Sequence, residues 1–103
     1  MNTNDKEKLD RIYLKTQDIK SALNNVSASK YAIIESITDS FGQFLNLNVD
    51  TEFYGRFHVL HERLNSLQNN LLFLIHTRDV DKQKVCIQTI EEIENLYYRY
   101  IRL

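Results

Sequence analysis

The amino-acid sequence predicts an all-α protein, a three- or four-helix bundle built on an antiparallel helical hairpin. Glycine occurs twice and proline not at all, whereas a sheet protein of this size needs many turns made from these residues. Apolar residues recur at alternating steps of three and four along most of the chain, which is the spacing of one helix face. With 103 residues, of which 43% are hydrophobic, residues 1–103 are expected to form a single helical domain.

The first predicted helix covers residues 4–41. Its apolar stripe is narrow enough for a coiled-coil seam, and Asn4 or Asp5 could cap its start. The stripe consists of Leu9, Ile12, Thr16, Ile19, Leu23 and Val26, and the same register continues through Ile33 and Ile37, with Ile34 and Phe41 alongside.

Two interpretations of this first helix stay open. The segment "NNVSAS", residues 24–29, contains poor helix formers and good caps, which favours a break or a kink near Asn25. An unbroken helix would be about 57 Å long and would extend past its partners. Because an amphipathic helix needs its apolar face covered, that length favours a homo-oligomer. In either case Gly42 is expected to end the helix.

A connection over residues 42–50 is predicted to follow, with Phe44, Leu45 and Leu47 packed onto the core. Asp50 or Thr51 then caps a helix over residues 51–77. The apolar spacing of this second helix has no interruption, through Phe53, Phe57, Leu60, Leu64, Leu67, Leu71 and Leu74.

A short turn over residues 76–81 leads into the last predicted helix, residues 80–102, with Asp79 or Asp81 as its cap. A connection this short makes the second and third helices an antiparallel hairpin. Two helices cannot bury their stripes completely on each other. The first helix therefore completes the bundle, or two hairpins pair as a dimer. The stripe of the last helix is Cys86, Ile90, Ile93, Tyr97 and Tyr100.

The charge pattern argues against nucleic-acid binding. The 13 basic and 14 acidic residues give a net charge of −1, and they alternate along the chain without the basic face that phosphate binding requires. No apolar segment follows Met1 and none is long enough to cross a bilayer. The single Cys86 suits a reducing compartment. We therefore expect a cytoplasmic protein that binds neither nucleic acid nor membrane.

The histidines do not have the spacing of a metal site. His58 and His61 are three residues apart, whereas a helical zinc pair needs a spacing of four and a third ligand nearby. His76 lies four turns further along the same helix, and Cys86 lies inside an apolar stripe. We expect neither a metal nor another cofactor.

The pattern His61-Glu62-x-x-Asn65-x-Leu67-Gln68 resembles the phosphoacceptor helix of the sporulation phosphotransferase family and of the related sensor kinases for citrate and for peptide signals. The resemblance covers residues 57–101, and the run "IEEI", Ile90–Ile93, fits the acidic second helix of that hairpin. It implies a hairpin that dimerises into a four-helix bundle and transfers phosphate through a histidine.

The chemistry of that pattern is consistent on physical grounds. His61 would be the nucleophile on phosphorus, and Glu62 could accept a proton from its ring. Asn65, one turn further, would lie beside the ring on the same helix face. Phe57 and Leu60 as stripe positions place His61 at the edge of the stripe, where a partner could reach it.

The bulk of the sequence nevertheless favours a non-catalytic function. We expect a small regulator, inhibitor or adaptor that binds another protein, and also itself, through helical faces. Compact helical proteins encoded by plasmids or phages, or acting as immunity proteins and antitoxins, share this composition, although that is an analogy at the level of fold. Histidine phosphotransfer through His61, Glu62 and Asn65 is the alternative, and only this alternative would make the protein an enzyme.

Overall fold

The computed structural model describes residues 1–24 and 31–102, and within them every regular element is a helix. The predicted all-α class is therefore confirmed. The helices are α1 (Thr3–Asn24), α2 (Tyr31–Asn48), α3 (Thr51–Arg56), α4 (His58–Thr77) and α5 (Val80–Ile101).

The four long helices form a bundle in the order α1, α2, α4, α5, with each helix packed against two neighbours and α3 packed on α4. Contacts between the helices fix their directions. Asp10 in the first half of α1 meets Tyr97 near the end of α5, and Tyr31 at the start of α2 lies beside Arg78, just past the end of α4. The neighbours are thus antiparallel, and the bundle measures 42 × 24 × 18 Å. A four-helix bundle closes within one chain.

The core consists of the stripes that the helical spacing predicts. Most of the predicted stripe on α1, α4 and α5 is at most 2% exposed, so the hairpin and its apolar seam are confirmed. Tyr97 and Tyr100, the last predicted stripe residues of α5, are only partly buried. The apolar residues that are at most 2% exposed are Leu9, Ile12, Ile19, Leu23, Leu60, Leu64, Leu67, Leu71, Leu74, Cys86, Ile90 and Ile93.

The first predicted helix differs in two respects. The cap is Asn2, whose side-chain oxygen accepts the N–H of Asp5 at 2.7 Å, and not Asn4 or Asp5. A continuous helix over residues 4–41 is wrong, because α1 and α2 pack side by side. The predicted break at residues 24–29 and the kink at Asn25 lie, beyond Asn24 itself, outside the described residues. The argument for a homo-oligomer from an overhanging helix therefore no longer holds.

The predicted connection over residues 42–50 is also wrong, because α2 continues through Gly42 to Asn48. Gly42 has an ordinary helical φ, so it does not act as a left-handed helix end. A Cβ at this position would come within 3.2 Å of Nε2 of Gln68. The glycine permits the close approach of α2 to α4, and the chain leaves the helix only at Val49 and Asp50.

Two apolar residues of α2 lie on the opposite side from the core. Ile33, predicted in the stripe, is 52% exposed, and Leu47, predicted to pack onto the core, is 83% exposed. The buried face of α2 consists instead of Tyr31, Ile34, Thr38, Phe41, Phe44 and Leu45. The register of α2 is therefore shifted by one residue relative to the predicted continuation of α1.

The predicted helix over residues 51–77 is divided at Phe57, whose φ of −127° and ψ of 52° are not helical. Asp50 caps α3 by accepting the N–H of Phe53. Phe57 remains buried and its ring lies 4.9 Å from that of Phe53. The division lets α3 fold across the end of the bundle without removing Phe57 from the core. Gly55, a weak helix former, is the local signal for it.

The turn between α4 and α5 contains two residues, Arg78 and Asp79. Arg78 adopts the left-handed conformation, with φ 56° and ψ 33°, and its N–H donates to the carbonyl of Leu74 at 2.6 Å. Its guanidinium lies 5.0 Å from the ring centroid of Tyr31. Asp79 caps α5 by accepting the N–H of Asp81. This turn joins the hairpin at the end opposite α3.

Candidate functional site

His61 lies at the edge of α4, half-buried beside the core residues Phe57 and Leu60. Its ring stacks on Tyr54 of α3, with 3.8 Å between ring centroids and 18° between ring planes. The amide nitrogen of Asn65 lies 3.2 Å from His61 Nε2. In a neutral ring that accepts this N–H at Nε2, the proton is on Nδ1. Tyr54 therefore contacts one face of the His61 ring, and Asn65 contacts the ring at Nε2.

Glu62 does not join this arrangement. Its side chain is exposed, and it makes no described hydrogen bond or ion pair within residues 1–24 and 31–102. The structure therefore brings His61 and Asn65 together and leaves Glu62 apart. Gln68, further along α4, lies against Gly42 of α2, where its Nε2 is buried without a hydrogen-bond partner among the described residues.

The remaining histidines are isolated from possible ligands. His58 and His76 are exposed on α4. Among the described residues no three histidine, cysteine, aspartate or glutamate side chains come together. Cys86 is fully buried, and this burial raises the pKa of its thiol to about 11. A thiol with so little thiolate at neutral pH is a poor nucleophile.

The sequence interpretation missed a paired carboxylate at the start of α1. Asp5 is 3% exposed. Its two oxygens accept from Nε and a terminal nitrogen of Arg56, both at 2.8 Å. The hydrogen bond to Asp5 raises the pKa of Arg56. Asp5 stands four residues before Leu9 in the stripe register, which is the signal that could have identified it as an inward-facing acid. The pair joins α1 to α3.

A tyrosine cluster between α1 and α5 was also not anticipated. The rings of Tyr13 and Tyr97 stack at 4.4 Å and 13°. The phenol of Tyr97 donates to Asp10 at 2.6 Å, and this hydrogen bond raises its pKa to about 12. The hydroxyls of Tyr13 and Tyr98 lie 2.9 Å apart. These contacts hold the C-terminal half of α5 to α1, and within the cluster Tyr13 and Tyr97 are half-buried while Tyr98 is exposed.

The outward side of α2 has a different composition from the other helix surfaces. We call it the α2 face, and its charged members, Glu35 and Asp39, make no described ion pair in the part of the chain that the structure covers. No lysine or arginine occurs in α2. The face consists of Ala32, Ile33, Glu35, Ser36, Asp39, Ser40, Gln43 and Leu47, all exposed.

Three adjoining depressions follow the α2 face across the bundle. The first, about 470 Å³, lies between α1 and α2 and includes Ser36 and Ser40. The second, about 440 Å³, shares those serines and adds Asp39 and Gln43. The third, about 300 Å³, shares Asp39 and Gln43 and reaches Gln68 and Leu72 on α4. The small side chains of α2 therefore leave a series of shallow, open depressions from α1 to α4.

A comparison of the chain with protein-family models, with curated proteins and with solved structures finds no match. Across the two described stretches, no helix is long and apolar enough to span a membrane. The functional interpretation of these sites therefore rests on their geometry.

Proposed function

We propose that this protein is a small non-catalytic regulator, inhibitor or adaptor that acts by binding another protein through a helical face. The observation that supports this proposal is the exposure of Ile33 and Leu47 on α2, outside a core that is already complete. A lone exposed apolar residue needs no explanation. Two at opposite ends of one helix face, in a helix with only two charged residues among 18, are consistent with a contact surface for another protein.

Affinity purification from the source cells, with cross-linking and mass spectrometry, tests this proposal. We expect a partner in stoichiometric amounts that dissociates when a bulky polar side chain replaces a contact residue on one helix face. Recovery of no stoichiometric partner, including a second copy of the chain, would contradict the proposal. Sedimentation velocity of the purified chain measures self-association separately.

Histidine phosphotransfer is the second candidate function, and the contact between His61 and Asn65 favours it. A ring nitrogen has its lone pair in the ring plane, so the stacked Tyr54 orients His61 without covering that lone pair. Asn65 keeps Nε2 unprotonated, and once its amide turns away, Nε2 would attack the phosphorus of a phosphoaspartate. A P–N bond would form, the P–O bond would break with its electrons remaining on the aspartate carboxylate, and the ring proton would pass to solvent.

Incubation with phosphorylated response regulators tests this second candidate. We expect an acid-labile, base-stable phosphate label that His61→Gln abolishes and that Asn65→Ala slows. The matched control is His58→Gln, an exposed histidine on the same helix, which should retain the label. No label with several regulators would rule out phosphotransfer and leave the binding proposal unaffected.

A further inference from the structure

The spacing of the α2 face matches what a partner helix requires. Ile33, Ser36, Ser40, Gln43 and Leu47 follow each other at steps of three and four, so they form one straight stripe on the helix. Large apolar side chains stand at both ends of the stripe, and two serines lie between them. Small residues at the centre let a second helix approach closely, and the apolar ends supply contact area.

The rim of this surface is acidic on the α4 side and carries both signs on the α1 side. Asp39 lines the depression beside α4, exposed Glu35 lies next to it, and Asp18 stands on the α1 side of the first depression. The lysine that also lines this depression, Lys15, lies over the ring of Phe44 at 5.1 Å. A partner that brings cations to the α4 side of the rim gains from complementary charge with Glu35 and Asp39, and one that brings carboxylates there is repelled.

A second copy of this chain would match the small and apolar side chains of the stripe but would bring like charges together at the rim. An antiparallel pair centred on Ser40 would place Ile33 of one chain opposite Leu47 of the other. The two-fold axis of such a pair, however, places the same flank of both helices side by side. Glu35 and Asp39 of both chains would then share one edge, and four carboxylates would repel each other.

We propose that the α2 face binds an α-helix of another protein, one whose small and apolar stripe lies along α2 and whose lysine or arginine side chains pair with Glu35 and Asp39. This inference rests on the proposed function and adds the site and the chemical class of the partner. The bound helix lies over the depressions between the α1 rim and the α4 rim.

Selection from a library of α-helical peptides displayed on phage tests the inference on the intact chain. The peptides have alanine or leucine at the stripe positions, and lysine, glutamate or glutamine at each flanking position. We expect lysine to exceed glutamate severalfold at the flanks after selection. For a selected peptide, the double variant Glu35→Gln/Asp39→Asn should raise the Kd by about threefold to tenfold at low salt.

Two further variants separate charge from shape. Ser36→Gln/Ser40→Gln adds bulk without charge to the centre of the stripe, and we expect it to abolish peptide binding while circular dichroism and the urea midpoint stay near wild type. Asp81→Asn/Glu91→Gln removes the same charge from exposed positions on α5 and should leave the Kd within about twofold.

Several outcomes would overturn the inference. Enrichment of glutamate, no enrichment at all, or binding that survives Ser36→Gln/Ser40→Gln would each do so. A dimer in sedimentation that this serine variant dissociates would assign the α2 face to a second copy instead. If a stoichiometric cellular partner binds the serine variant as well as wild type, this inference is overturned and the proposed function stands. If neither a partner nor an enriched peptide is found, both are overturned.

Discussion

Replacing Gly42 with alanine tests how closely α2 approaches α4. Alanine is favoured over glycine inside a helix by about 1 kcal/mol. Against this gain, the new Cβ would lie 3.2 Å from Nε2 of Gln68, so the glutamine must move by a few tenths of an ångström. That amide has no hydrogen-bond partner among the described residues and lines an open depression. The strain of an off-rotamer side chain is about 0.5 kcal/mol at the low end. We expect Gly42→Ala to stabilise the fold by about 0.5 kcal/mol.

Urea unfolding monitored by circular dichroism measures this difference, which corresponds to a Tm increase of about 2–4 °C. Gly55→Ala is the matched control, because a Cβ there has no heavy atom within 4 Å, so only helix propensity changes. In a Gln68→Ala background the crowding is absent, and Gly42→Ala should show the full propensity gain. A loss of more than about 1 kcal/mol that persists in the Gln68→Ala background would refute the reasoning, since backbone and not a flexible side chain would then limit the approach.

Three further predictions concern ionisable groups. Because Tyr97 has a pKa of about 12, raised from the ordinary 10.0 by its bond to Asp10, its protonated form stabilises the fold below pH 10, and this stability is lost as the pH rises to about 12. Urea midpoints of wild type and Tyr97→Phe should therefore converge over that window, and a constant difference would contradict the assignment. The Cys86 thiol should react with Ellman's reagent at pH 8 only at the rate of unfolding, so fast labelling insensitive to urea would show that it is accessible. Arg56→Gln should lower the urea midpoint because Asp5 is left buried without its partner. The double variant Asp5→Asn/Arg56→Gln should recover part of the loss, and a single variant as stable as wild type would show that the pair contributes nothing.

The core could be predicted from the sequence because its signal is local. The leucines of α4 repeat every three and four residues, and this spacing needs no knowledge of what lies opposite. Gly42 could not be placed in the same way. Whether a glycine ends a helix or allows a close approach depends on Gln68, a residue of another helix. Phe57 is a core residue as predicted, but the division of the helix there has no signal in the apolar register, because Phe57 stays in register although the backbone turns.

The candidate sites show the same limit. Asn65 lies one turn after His61, so their proximity follows from helix geometry alone. The stacking of Tyr54 on His61 depends on the angle between α3 and α4, and the apolar spacing does not determine this angle. The α2 face was hidden because the register of α1 was continued across residues 25–30. A shift of one residue places Ile34 in the core and Ile33 outside.

The two functional candidates meet at the groove between α2 and α4. Gln68 is two turns from His61, about 10 Å along the helix, and it lines the depression that also contains Asp39. A response regulator bound at His61 and a basic helix bound along α2 would therefore both lie near the carboxylate of Asp39. The variant Asp39→Asn alone cannot separate them, because both partners would respond to it. His61→Gln and Ser36→Gln/Ser40→Gln can, since one removes a ring nitrogen that only phosphotransfer needs and the other fills a surface that only helix docking needs. A partner that loses binding with the serine pair and keeps it with His61→Gln would identify the protein as a helix-binding module.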